Sequence, residues 1–165
     1  MTARPSPYTL RDHLAHQLRS AYRTLWKAIE GLSEAQAREG ATPDWRRYGW
    51  GTGLDGSIAG IVCHGALWKQ IFAQGLETGA FPGEGDLAPP GADWTMLRAW
   101  LADGQARLER AFEPLSDSAL AETRKWEGHS EPLAQLLTYL IEHDIYHAGQ
   151  VELLRQLRGY PRVED

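Results

Sequence analysis

The chain has 165 residues, with 17 Lys+Arg against 22 Asp+Glu and a formal net charge of −5. That size predicts a single domain spanning 1–165, able to bury about 70% of its unfolded-chain surface without staples. The acidic balance and the lack of any basic run exclude an electrostatic nucleic-acid footprint and a polybasic membrane contact. One cysteine, Cys63, excludes an internal disulfide framework and fits a reducing compartment. No apolar leader opens the chain and no uninterrupted apolar run approaches about 18 residues, so a soluble cytoplasmic protein is expected.

Helical periodicity dominates and strand alternation is nearly absent. Leu10, Leu14, Leu18, Ala21, Leu25, Ile29 and Leu32 form one stripe. They predict a first helix of about 24 residues from near Tyr8, closed by Gly31 and Ser33. A long connection follows, Glu34 to Gly56, rich in glycine and aromatics (Trp45, Tyr48, Trp50) and ending on an N-cap at Asp55 or Ser57. The second helix, Ser57 to near Gln74, carries Ile58, Ile61, Gly65, Trp68 and Phe72 on one face. Gly/Pro punctuation fills Gly75 to Ala92. Asp93 then caps a third helix with Trp94, Leu97, Leu101, Leu108 and Phe112. Ser116 to Ser130 reads as a short helical turn followed by irregular chain or a small hairpin. Ser130-Glu131-Pro132 opens the fourth helix, with Ser as cap and Pro in the first turn, and the helix runs to near Arg158. Four long amphipathic helices in one small domain predict an all-α four-helix bundle.

The chemistry concentrates in His143-Asp144-Ile145-Tyr146-His147-Ala148-Gly149-Gln150. On a helix His143 and His147 stand one turn apart, with Cβ atoms about 5–6 Å from each other, a spacing at which two imidazoles clamp one divalent ion. Leu133, Leu137, Leu140, Asp144, Ala148 and Val151 share the core direction, with His147 beside them and His143 on the flank. On the second helix His64 lies about 60° from the stripe centre, one turn before Trp68. If the two helices are neighbours, three imidazoles converge at mid-height. Three neutral nitrogens leave a coordination position open, the pattern of a reactive site.

The other histidines have plainer readings. His16 points away from the first-helix stripe and His13 lies well off it, so both face solvent; His129 starts roughly 20 Å from His143. Cys63 is rotated about 100° from His64 and reads as a half-buried structural thiol. Asp144 is costly in an apolar stripe unless paired. It could orient a ligand imidazole, act as a base or cap a polar group; a bond to a Tyr hydroxyl or backbone group of the first helix is the simpler alternative. Gln150 could present its amide to a metal-bound water or a substrate, or make an ordinary interhelical bond. Asp144 and Gln150 are thus the catalytic candidates.

His64 in Ile61-Val62-Cys63-His64, together with the His143 to Gln150 segment and the Ser116-Asp117-Ser118-Ala119-Leu120 stretch, resembles the DinB/YfiT-like family over nearly the whole chain. The resemblance implies an up-down-down-up four-helix bundle with a long crossover between helices two and three, a homodimer, and a divalent metal held by His64, His143 and His147. It also implies a metal-dependent S-transferase using a small thiol and an electrophile as partners. Trp50 and Trp68 are candidate walls for such a pocket, and Arg46 or Arg47 could bind a carboxylate on the thiol, with a solvated loop charge as the plainer reading of each. Imidazole ligands suit transition metals, zinc or nickel foremost. Two alternatives stay open: a hydrolase using a metal-bound water, and a non-catalytic, stress-associated metal-binding dimer. His143-Asp144-x-x-His147 resembles a zincin motif with Asp for Glu, but the shorter acid and the few residues after His147 argue against zincin chemistry.

Overall fold

The computed structural model describes residues 8–41, 54–91 and 93–161. Thr9 caps α1 (Leu10–Ala28): its hydroxyl accepts from Asp12 N–H at 3.1 Å, and Asp12 Oδ2 accepts from Thr9 N–H at 3.2 Å. The helix is 19 residues long, shorter than its apolar stripe. Gly31 turns the chain at φ 72°, and Ile29 and Leu32 stay buried beyond the helix, so the apolar pattern outlasts the helical backbone. Ser33 opens an element where the sequence suggested only a stop. It caps α2 (Glu34–Arg38), with Gln36 completing the box. Five residues are too few to show a helical period.

Both candidate caps of the next helix take part. Ser57 caps α3 (Ile58–Thr78), its hydroxyl accepting from Gly60 N–H at 2.9 Å, while Asp55 Oδ1 accepts from Ser57 N–H at 2.9 Å. The helix runs through Gly75 to end at Gly79, φ 79°. A Cβ at position 75 would collide with the Phe81 ring, so glycine here lets the returning chain close over α3. Asp93 caps α4 (Trp94–Phe112) as expected, and Ser116 caps α5 (Asp117–Ala121). The alternative of a small hairpin is the one realised. β1 (Thr123–Trp126) and β2 (His129–Pro132) pair antiparallel, turned by Glu127 at φ 48° and Gly128 at φ 82°.

The expected opening of the last helix is corrected. Ser130 and Pro132 belong to β2, and α6 (Leu133–Leu157) begins with Pro132 at the cap position and no side-chain cap. The residue just before β1 satisfies the first amide of the helix: Leu133 N–H donates to the Glu122 carbonyl at 2.9 Å.

Side-chain bonds fix how the long helices run. Between α3 and α4 the numbers rise together: Gln70 Nε2 donates to the Trp100 carbonyl at 3.3 Å, and Arg107 Nε donates to Glu77 at 2.9 Å. They also rise together from α1 to α6: Arg11 N–H donates to Asp117 ahead of α6, and Arg155 Nη1 donates to the Ala28 and Glu30 carbonyls near its end. Across α3 and α6 they run oppositely, with Arg158 Nη2 donating to Gly56 and Lys69 meeting Asp144. Buried positions occur on most sides of α3, where the sequence suggested a single face, because the helix packs on α2, α4 and α6 together. Leu101, Leu108, Leu136, Leu137, Leu140 and Val151 line the interior it shares with its neighbours. Among the described residues no helix is long and apolar enough to cross a membrane.

Candidate metal centre

α3 and α6 bring His64, His143 and His147 together. His64 is 5% exposed and His147 2%, and His143 is half-buried on the flank. Their ring centroids lie 4.8 Å (His64–His143), 5.2 Å (His64–His147) and 4.2 Å (His143–His147) apart. One ligand nitrogen from each ring falls within 4.8 Å of the others. The Nε2 atoms of His143 and His147 are 3.0 Å apart. Nitrogens bound to one ion at about 2.0–2.1 Å stand about 3.0–3.4 Å from each other at ordinary bond angles, so the donor set fits a divalent metal with small ring movements.

The protonation chemistry fits as well. Gln150 Oε1 can only accept, so His147 Nδ1–H donates to it at 2.7 Å, which leaves the lone pair on Nε2 facing the other rings. Gln150 Nε2 donates in turn to the Tyr146 hydroxyl at 2.8 Å. Burial pulls His147 down to about 4, against the raising effect of the Gln150 bond. His143 is pushed well below the ordinary imidazole value by burial first, then by the neighbouring His147, His64 and Lys69. Both rings are therefore neutral donors near pH 7. His143 Nδ1 is buried without a hydrogen-bond partner among the described residues. That ring is held instead by stacking: Trp68 lies flat against it, centroids 3.8 Å apart and planes 8° from parallel. Trp68 is anchored through Nε1–H to Glu84 at 2.9 Å and meets Trp126 edge-on.

Asp144 has a partner that the sequence reading did not name. Its carboxylate pairs with Lys69 of α3, both side chains fully buried. Burial raises the Asp144 carboxyl from its usual value, against the pull of Lys69. A signal for Lys69 was present, since it is the one charged residue between Ile58 and Leu76. Gln150 bonds to His147 and Tyr146 of its own helix, in place of the interhelical bond that was its plainer reading. A cleft of about 390 Å³ lies beside it, lined by Leu54, Gly56, Ile61, Gln150, Leu153 and Leu154.

The remaining sequence expectations sort plainly. His13, His16 and His129 are exposed, and His129 packs against Tyr139 at 5.5 Å in the hairpin region. Cys63 is half-buried, and burial followed by the Asp55 charge lifts its thiol to about 11. Trp45, Arg46, Arg47, Tyr48 and Trp50 lie outside the described residues.

A search of curated proteins found no match to the chain. The family model of the DinB superfamily matches residues 17–151, a span that holds all three clustered histidines, and the chain belongs to that superfamily.

Proposed function

We propose that this protein is a metal-dependent transferase in which His64, His143 and His147 hold a divalent ion, zinc or nickel, that activates a small thiol for attack on an electrophile. One observation carries the reading: three converging imidazoles, His64 and His147 buried and His143 half-buried beside them, with His143 and His147 neutral near pH 7 and the tautomer of His147 set by Gln150. An ion held there would favour the thiolate form of an incoming thiol at neutral pH. The sulfur would bond to the electrophilic carbon while the leaving group departs with the electrons of the broken bond; the thiol proton passes to solvent. Trp68 walls one side of the site and orients His143. The cleft beside Gln150, with Leu54, Ile61, Leu153 and Leu154 on its walls, suits the apolar part of the electrophile. Asp144 and Gln150 then serve the ligand histidines and not the reacting atoms. The family and the runs of facing residues support an up-down-down-up bundle forming one domain. Exposed Ile145, Tyr146, Leu153 and Leu157 on α6 support a homodimer.

The test is turnover of a chromogenic electrophile with and without a small thiol, before and after chelation, in wild type and His147→Ala. Activity that needs thiol, metal and His147 supports the transferase. Thiol-independent ester cleavage would replace it with a hydrolase. No metal-dependent turnover, with a large loss of melting temperature on chelation, would make the ion structural.

A further inference from the structure

We propose that the buried Lys69–Asp144 pair is the positioning clamp of the histidine cluster, fixing the register of α3 against α6 at which His64 meets His143 and His147. The inference rests on the three-histidine metal reading. Lys69 follows His64 by five positions on α3, and Asp144 sits between His143 and His147 on α6. The side chains of both are 0% exposed, and they are bonded to each other across the two helices that carry the ligands. A slip of α3 by one residue would carry His64 about 1.5 Å along its axis, while metal–nitrogen distances tolerate about 0.2 Å. The apolar contacts of α3 with α6, Leu67, Ile71 and Phe72 in one core with Leu137, Leu140 and Ile141, are non-directional and hold the helices together without singling out one register. A hydrogen-bonded ion pair is directional and has one good geometry.

The surroundings seal that geometry. Behind Lys69 the backbone of α4 comes close at Gly104, where a Cβ would stand 2.8 Å from Lys69 Cβ. The Tyr22 ring of α1 lies 5.8 Å from Nζ, so Lys69 meets α1, α4 and α6 from its place on α3. A buried pair of this kind is a poor source of stability, since well-packed apolar residues often replace it at no loss. Its position beside the three histidines therefore points to placement.

The experiment replaces both partners, Lys69→Met with Asp144→Leu, and titrates chelator-treated protein with Co²⁺ by its visible absorption, beside thermal unfolding without metal. The clamp predicts a melting temperature at or above wild type, together with a Co²⁺ Kd raised tenfold or more and an altered band shape. A residue pair that served packing alone would give the opposite: a lowered melting temperature and an unchanged Kd. A Kd within twofold of wild type overturns the proposal. Wild type that binds no Co²⁺ overturns the metal reading and the clamp with it, and that failure shows in the wild-type titration alone. If the first variant loses the wild-type circular dichroism, Lys69→Met with Asp144→Asn, close to isosteric at both positions, decides by the same Kd criterion.

Discussion

Acidifying the metal-free protein probes the burial of the cluster directly. The folded state holds His147 at about 4, whereas the ordinary imidazole value is 6.5, because burial penalises the imidazolium. The folded value lies below the unfolded one, so this histidine's contribution is whole above about pH 6.5 and is lost as pH falls from there towards 4, where the unfolded chain takes up a proton that the folded one refuses. Integrated between about pH 8 and pH 5, His147 alone costs about 2 kcal/mol. His143 acts in the same direction, its value held well below the ordinary one by burial first, then by His147, His64 and Lys69 beside it. A domain of this size has about 5–15 kcal/mol to lose, so the urea midpoint is expected to drop by about 1 M or more. Urea unfolding followed by circular dichroism, on chelator-treated wild type and His147→Asn across that range, measures it. The variant's stability changes by about 2 kcal/mol less than wild type over the same span. Equal wild-type midpoints at the two ends, or identical pH dependence in the two proteins, would refute a buried neutral imidazole at position 147.

Three further outcomes test the frame around the site. Arg155 is 3% exposed and donates to the carbonyls of Ala28, Glu30 and Pro161, so Arg155→Met strands the buried Ala28 acceptor and leaves two part-buried ones without their donor. It is expected to cost about 3 kcal/mol in urea unfolding, and a loss below about 0.5 kcal/mol would show those carbonyls to be satisfied otherwise. Gly104→Ala puts a methyl against Lys69 Cβ, and the overpacking of about 1–3 kcal/mol is expected to outweigh the roughly 1 kcal/mol that alanine adds to a helix interior. A melting temperature above wild type would show that α4 can yield there. Cys63, with its thiol lifted to about 11 from an ordinary 9.0, is expected to alkylate about 100-fold more slowly at pH 8 than an unperturbed thiol. Mass-spectrometric time courses with iodoacetamide measure this, and a rate equal to the free thiol's would mean the side chain is open to solvent.

How far the sequence could be read depended on the range over which each feature is encoded. α4 and its Asp93 cap were legible because a long apolar period and a capping residue are local statements. α1 was overestimated for the same reason, since Ile29 and Leu32 continue the period after Gly31 has turned the chain. Ser130 and Pro132 look like a helix start in isolation. They form a strand because β1 offers a ladder opposite, with Lys125 facing Ser130 and Thr123 facing Pro132, and such a partner leaves no mark in the segment itself.

The site divides along the same line. His143 and His147 are four residues apart on one helix, and their shared face follows from 3.6 residues per turn. His64 joins them only if two helices are neighbours, which the family resemblance supplied and spacing did not. The Lys69–Asp144 bond escaped notice although each half was conspicuous: a carboxylate in the apolar stripe of α6, and a lone cation in an otherwise uncharged stretch of α3. Neither charge is tolerable in a core without the other. Once His64 is placed against His143 and His147, the antiparallel run of α3 and α6 brings Lys69 within reach of Asp144, so the histidine cluster and the ion pair agree on one register. Two opposite charges in the apolar stretches of helices already joined by a histidine cluster are thus a readable signal.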